Sequence, residues 1–230
     1  MKKAIKAIVW DLDGTLIDFK IDYMRSRKKA IQILKQYNVP KNILTAKSSI
    51  LENVNHAKKF FEASSFSNKK IKKIVTKIDK EIIKIEHEAA LEAKIITGID
   101  KVLEFAQSKN LKQAIFTFNT KKNTLISLKQ AKIYQYFDFI VGRDNIENLK
   151  PHPDHLYSIC EKLNVNPNEI LVIGDTNRDI EAAINIGAHS IALNTKIPKL
   201  IKQDAFNKAD KIIEPEDIPF KLIEAIEEFL

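Results

Sequence analysis

Short apolar runs alternate with segments of helical periodicity along most of this chain of 230 residues. The first run, Ala4 to Trp10, is rich in Ile and Val and stops at an Asp-Leu-Asp-Gly sequence, a pattern typical of a buried strand followed by a turn. Similar runs predict four more strands, at 113–118, 137–141, 170–173 and 190–193. The segments between them have helical spacing, and the last predicted helix is followed by Gly187, where a left-handed C-cap is expected. Strands separated by helices predict an α/β fold with a parallel sheet and helices on both faces.

Residues 20–95 differ from the rest of the chain in pattern and in charge. A stripe of apolar residues with helical period runs from Lys69 to Ala93, with lysines largely on the opposite side, and predicts one long amphipathic helix. Another helix is predicted over 25–37, and one or two more within 43–61. No strand signal interrupts these helices. We therefore predict an all-helical domain at 19–93, inserted into an α/β domain made of 1–18 and 94–230.

The composition is that of a globular protein, with 44% hydrophobic and 30% charged residues. The single cysteine, Cys160, cannot form an internal disulfide, which excludes a small disulfide-rich domain and favours a reducing, cytoplasmic location. No run approaches the ~18 apolar residues of a membrane helix. The lysines near the start resemble a signal peptide, but the apolar run after them ends too soon at Asp11. We expect no membrane partner.

Two carboxylates follow the first predicted strand, in the segment Asp11-Leu12-Asp13-Gly14-Thr15. Residues i and i+2 of an extended segment point the same way, so both side chains can face one small volume. Ligands of open α/β sheets bind at this end of the strands. Because two close carboxylates repel each other unless a cation or hydrogen bonds compensate, the pair predicts a metal site.

A second acidic segment, Gly174-Asp175-Thr176-Asn177-Arg178-Asp179, also follows a predicted strand and precedes a helix. By itself this pattern is common at helix N-termini, where acids complement the helix dipole. Together with the first acid pair it makes a set of hard oxygen ligands suited to magnesium. Between the two segments, Thr117 ends a predicted strand and Lys150 lies in a proline-containing loop. A hydroxyl and a fixed positive charge are what an anionic phosphoryl group requires.

These four segments, in this order, resemble those of the haloacid dehalogenase superfamily, and the helical insert after the first resembles its C1-type cap. The resemblance is greatest to the branch of phosphoglycolate phosphatase and beta-phosphoglucomutase. It implies a Rossmann-like core and a Mg2+-dependent hydrolase that acts on a small phosphorylated metabolite through an aspartyl-phosphate intermediate. The oligomeric state is left open.

The resemblance also implies a role for each motif residue. Asp11 would be the nucleophile, and Asp13 would be the acid that protonates the leaving oxygen and then the base that activates water. Asp11, the Asp13 backbone carbonyl and Asp175 would hold magnesium, with Asp179 as a further acid near the metal. Lys150 would neutralise charge on nucleophile and phosphate. Phosphate would also bind Thr117 and the backbone that follows it, at Phe118 and Asn119.

One position departs from the family pattern. The motif threonine is usually followed by Asn, but here Phe118 follows Thr117 and Asn119 comes one place later. Either Asn119 makes the usual contact after a local shift, or the substrate is held differently. The acid at Asp13 favours phosphate esters, because an alkoxide leaving group needs a proton that a halide does not.

The sequence of the basic insert does not identify the substrate. Residues 20–95 contain 18 Lys and Arg against 8 Asp and Glu, a charge that would attract anionic substrates. Candidate substrate contacts are Arg25, Arg27, Lys58 and Lys59. A phosphomutase, or a hydrolase of pyrophosphate or nucleotides, would use the same scaffold. Nucleic-acid binding is the remote alternative. It would be supported by aromatic side chains that stack on bases between the lysines, but the phenylalanines near these lysines are more simply explained as core residues.

Overall fold

The computed structural model describes residues 4–18, 20–195 and 205–230. It contains a six-stranded parallel sheet, which confirms the predicted fold class. The strands are β1 (Ala7–Trp10), β2 (Lys112–Phe116), β3 (Phe139–Val141), β4 (Ile170–Gly174), β5 (His189–Leu193) and β6 (Lys211–Ile213). The helices are α1 (Tyr23–Lys35), α2 (Ile50–Ala63), α3 (Asn68–Leu91), α4 (Ile99–Ser108), α5 (Lys121–Gln130), α6 (Asp154–Leu163), α7 (Asn177–Ile186) and α8 (Phe220–Glu227).

The strand order is β3-β2-β1-β4-β5-β6, so β1 lies in the middle of the sheet. Val9 of β1 is paired with Ala114 of β2 on one side and with Val172 of β4 on the other. The chain runs outward from β1 in one direction and then outward from β4 in the other. The order therefore reverses between β1 and β4, which is where doubly wound sheets bind their ligands.

Alternating side chains of each strand pack into separate cores on the two faces of the sheet. In β1, Ile8 and Trp10 point into a core that includes buried residues of α4, α5 and α8. Ala7 and Val9 point into the opposite core, which α6 and α7 complete. A strand buried on both faces is apolar throughout, which is why β1 has the sequence Ala-Ile-Val-Trp.

The chain divides into two compact units, Met1–Phe19 with Ala90–Leu230, and Lys20–Ala89. The second unit is helical, and its core consists of buried side chains of α1, α2 and α3 such as Ile33, Phe61 and Ile74. A capping box between Ser49 and Glu52 begins α2. The predicted long helix is confirmed as α3, with its lysines exposed and Ile71, Ile74, Ile78 and Ile85 buried.

Two elements were not predicted from the sequence, the edge strand β6 and the C-terminal helix α8. The predicted strands and the left-handed C-cap at Gly187 are confirmed, the latter with φ +71°. The domain limits 1–18, 19–93 and 94–230 stay a prediction, and they include residues 1–3, 19 and 196–204, which lie outside the described residues. No helix within the described part of the chain is long and apolar enough to cross a membrane.

Candidate active site

Acidic side chains gather at the carboxyl edge of the two central strands. Asp11 directly follows β1, and its backbone N–H continues the pairing with β4 by donating to Ile173 O at 2.9 Å. Asp175 directly follows β4, and Asp179 lies in the first turn of α7. Each of these three carboxylates has an oxygen within 4.8 Å of an oxygen of the other two, and all three residues are buried. The topology thus brings together acids that are more than 160 residues apart.

Lys150 is the positive charge at the centre of this group. Its Nζ contacts Asp11 Oδ1, lies 2.5 Å from Asp179 Oδ1 and donates to Phe116 O at 3.3 Å. Lys150 is only 3% exposed. Burial by itself would lower the pKa of Lys150, but the charges of Asp11 and Asp179 raise that pKa above its usual value. The ammonium group is therefore a fixed charge at neutral pH.

Asp179 is held from both sides. Its Oδ1 faces Lys150, while Oδ2 accepts hydrogen bonds from Thr176 N at 2.9 Å and from Thr176 Oγ1 at 2.5 Å. This is the capping box of α7, so Asp179 stabilises the start of the helix and also positions the lysine. The common helix N-terminus explanation of Asp179 is correct, and it describes one of the two interactions of this carboxylate.

Asp175 approaches the turn after β1 closely. Gly14 has φ +87°, a left-handed conformation that favours glycine, and a Cβ at this position would overlap the Asp175 carboxylate. Thr195 Oγ1 lies 2.9 Å from Gly14 O and 3.2 Å from Asp175 Oδ2, and so connects the two loops. Asp175 Oδ1 is buried without a hydrogen-bond partner among the described residues.

The carboxylate group fits a metal cation. Three buried carboxylates face a single ammonium group, so the site holds excess negative charge. Burial, with a smaller contribution from the charge of Asp179, raises the pKa of Asp11 to about 6 against the opposing charge of Lys150. Burial, followed by the charges of Asp11 and Asp179, raises the pKa of Asp175 well above its usual range. A cation at the unpartnered Asp175 oxygen would relieve both effects.

Asp13 is not one of the three clustered carboxylates. Its Oδ2 accepts a hydrogen bond of 2.6 Å from Asn119 Nδ2, and Asn119 N donates to Thr117 Oγ1 at 3.1 Å. The structure thus gives the amide of Asn119 a carboxylate partner, so its assignment to phosphate stays a prediction. The role of the Asp13 backbone carbonyl as a metal ligand and the phosphate-binding role of Thr117 stay predictions too.

Three side chains near the site were not singled out by sequence reasoning. Thr195 is one, as described above. The second is Phe118, whose ring centroid lies 5.3 Å from Lys150 Nζ. The third is Arg178, whose guanidinium carbon lies 5.3 Å from the centroid of the Phe118 ring. Phe118 was expected to contribute backbone only. The sequence offered one indication for Arg178, its position within the second acidic segment.

A doubly wound parallel sheet with buried carboxylates and a lysine where the strand order reverses is typical of an α/β enzyme. The family model for haloacid dehalogenase-like hydrolases matches residues 8–193. The chain belongs to this family, and the resemblance seen in the sequence is confirmed.

Named relatives cover the chain to different extents. The chain is 28% identical over 211 residues to a phosphoglycolate phosphatase of Aquifex aeolicus. This match covers 84% of this chain and 90% of the relative. It is 32% identical over 109 residues to pyrophosphatase PpaX of Bacillus mycoides, and there the match covers 47% of this chain and half of the relative's length. The crystal structure of beta-phosphoglucomutase from Clostridium difficile is similar in fold, with a TM-score of 0.68, 21% identity and 97% coverage of both chains.

Proposed function

We propose that this protein is a Mg2+-dependent phosphatase that hydrolyses a small phosphate monoester through an aspartyl-phosphate intermediate. The observation that supports the proposal most directly is the contact of Lys150 with Asp11 in a buried group of three carboxylates. A carboxylate that attacks a phosphate dianion must overcome charge repulsion, and a fixed ammonium group beside it reduces that repulsion. Family membership is consistent with this chemistry.

The first half of the proposed reaction transfers the phosphoryl group to Asp11. A carboxylate oxygen of Asp11 forms a bond to phosphorus as the bond between phosphorus and the ester oxygen breaks. Asp13 gives its proton to that leaving oxygen, so the product departs as a neutral alcohol. Lys150 and the Thr117 hydroxyl stabilise the charge on the transferred group.

The second half releases phosphate. Asp13, now ionised, takes a proton from water, whose oxygen attacks phosphorus as the bond to Asp11 breaks. Asp11 returns to its carboxylate form, Asp13 regains its proton, and one water is consumed per ester. Asp11, Asp175 and the backbone carbonyl of Asp13 would hold Mg2+, with Asp179 nearby. When bound, Mg2+ supplies positive charge that offsets that of the carboxylates and the phosphate.

The helical insert is the part of the chain that we propose selects the substrate. Of the candidate contacts, Arg25 already donates to Glu88 from NH1 at 2.5 Å, and Arg27 NH1 donates to Ala46 O at 3.2 Å. Lys58 is half-buried and Lys59 is exposed. A small phosphorylated metabolite as partner and a cytoplasmic location stay parts of the proposal.

The test is a panel of phosphorylated metabolites, assayed for inorganic phosphate with and without Mg2+. Sugar phosphates, phosphoglycolate, nucleotides and pyrophosphate are included, since the pyrophosphatase relative makes pyrophosphate the second candidate substrate. We expect Mg2+-dependent phosphate release from at least one monoester and a loss of at least about 10³-fold in Asp11→Asn. Asp100→Asn, which changes an exposed acid on α4, is the matched control.

Two results would contradict the proposal. Full activity of Asp11→Asn would exclude Asp11 as the nucleophile. Conversion of a sugar phosphate into an isomeric phosphate, with no free phosphate, would assign the scaffold to a phosphomutase.

A further inference from the structure

Asn119 and Asp13 are joined by a short hydrogen bond between side chains 106 residues apart in sequence. We propose that Asn119 is a positioning residue, which orients the Asp13 carboxylate for proton transfer and does not bind phosphate through its side chain. The inference depends on the proposed function, in which Asp13 is the acid and base.

The amide of Asn119 is the donor in this hydrogen bond. Its Nδ2 donates to Asp13 Oδ2, an oxygen that accepts both when Asp13 is ionised and when the proton is on Oδ1. The other end of the amide, Oδ1, is then buried without a hydrogen-bond partner among the residues described. A buried polar oxygen with no partner costs stability. A side chain selected for stability alone would avoid that cost, which indicates that the contact with Asp13 serves another purpose.

The loop that carries Asn119 is itself fixed by the loop after β3. Asn119 O accepts from Arg143 N at 2.9 Å, and Phe118 O accepts from Arg143 NH1 at 2.7 Å. At the start of α5, Lys121 N donates to Asp144 Oδ1 at 2.8 Å. Asn119 is 4% exposed, so its amide has little room to rotate. The donor is therefore preorganised before any substrate arrives.

The bond determines which oxygen of Asp13 carries the proton. A protonated hydroxyl oxygen is a poorer acceptor than a carbonyl oxygen, so the hydrogen bond from Nδ2 keeps Oδ2 as the acceptor and places the transferable proton on Oδ1. It also fixes the plane of the carboxyl group. General acid catalysis depends on such alignment with the leaving oxygen. Loss of Asn119 should therefore impair proton donation more than it impairs phosphate binding.

Two substrates distinguish these effects. The first is the best alkyl phosphate from the panel, whose alkoxide leaving group needs a proton. The second is p-nitrophenyl phosphate, whose leaving group is stable as an anion. The quantity compared is kcat/KM, which includes only steps up to phosphoryl transfer to the enzyme. We expect Asn119→Ala to lower kcat/KM about 10- to 100-fold for the alkyl ester and less than about threefold for the aryl ester, since general acids contribute about 10²–10⁴-fold.

Asp144→Ala is the control for a purely structural effect. It removes the acceptor for Lys121 N and loosens the same loop without touching Asp13. We expect it to lower kcat/KM for both esters in the same proportion. Equal losses for both esters in Asn119→Ala, or no loss in either, would overturn the positioning role.

A thermal double-mutant cycle tests the contact without turnover. The Tm losses of Asp13→Ala and Asn119→Ala should not add in the double variant, because each change breaks the same hydrogen bond. Strict additivity would overturn the inference. If the wild-type protein releases no phosphate from any ester, the proposed function fails, and this cycle still decides whether Asn119 holds Asp13.

Discussion

Lys150 Nζ lies 2.5 Å from Asp179 Oδ1, and the same ammonium group contacts Asp11. One buried cation thus serves two buried carboxylates, while Asp175 completes the acidic cluster from the next strand. Burial, together with this imbalance of charge, raises the pKa values of Asp11 and Asp175 and connects the stability of the protein to the chemistry of the site.

Lys150→Met should destabilise the protein in the absence of divalent cations. The methionine fills a similar volume but leaves Asp11 and Asp179 buried without their cation, a change that costs about 3 kcal/mol or more. Urea unfolding at pH 7 measures the difference. Lys69→Met, which changes an exposed lysine on α3, should lie within about 0.5 kcal/mol of the wild type. Equal effects of the two substitutions would show that the buried ammonium group is not needed.

Asp175→Asn should change stability in opposite directions with and without Mg2+. The raised pKa of Asp175 means that its ionised form is disfavoured in the native state, so a neutral amide should stabilise the cation-free protein. In millimolar Mg2+ the wild type should gain Tm by mass action, and the variant should gain little. Glu147→Gln, at an exposed acid, should keep the wild-type response. A variant that keeps the full Mg2+ response would exclude Asp175 as a ligand.

Gly14→Ala and Gly187→Ala form a matched pair. Both glycines have positive φ, +87° and +71°, so each alanine carries a backbone penalty of about 1 kcal/mol. A Cβ at Gly187 meets nothing within 4 Å, whereas one at Gly14 overlaps Asp175. We therefore expect comparable backbone costs, but a loss of Mg2+ stabilisation and at least a tenfold loss of phosphatase activity in Gly14→Ala alone. Similar activities of the two variants would contradict the close approach.

His155 should make stability depend on pH. The side chain is fully buried in α6, and burial together with the charge of Lys150 lowers its pKa from 6.5 to about 4. Between these two pH values His155 binds more protons in the unfolded chain than in the native one, so its own contribution to stability rises with pH, by about 3 kcal/mol over the interval. The raised pKa values of Asp11 and Asp175 act in the opposite direction in this range, so the test compares the variant with the wild type. The urea midpoint of the wild type, relative to that of His155→Leu, should increase from pH 4 to 6.5. His152→Ala, at a neighbouring histidine outside the core, should keep the wild-type slope.

The strands and acids at the centre of the sheet were predictable because their signals are local. β1 and β4 are apolar throughout, and each is followed directly by an aspartate, so the pattern places Asp11 and Asp175 at the same edge. The edge strand β6 has only three residues, and its Ile212 is exposed. β3 is equally short but lies in a longer, mostly apolar run at 137–141, whereas β6 contains only two apolar residues. Two apolar residues carry no periodicity that distinguishes a strand from a loop.

Side-chain pairs between distant loops were not predictable. The partner of Asn119 depends on how the loop after β2 is held by Arg143, and that geometry forms only once the sheet has folded. Thr195 is similar, because its contact with Gly14 joins residues 181 positions apart. Chemical type and spacing indicate which residues can act. Their partners follow from the packing of loops, which the pattern of the chain does not encode.

The chain leaves and re-enters the sheet unit at a paired stem. Ile17 forms an antiparallel bridge with Ile95, and Asp18 N donates to Lys94 O at 2.8 Å. The 70 residues of Lys20–Ala89 therefore begin and end at neighbouring points. Because both ends of the insertion join one paired stem, an insertion of another length or shape could replace it while the six strands keep their register.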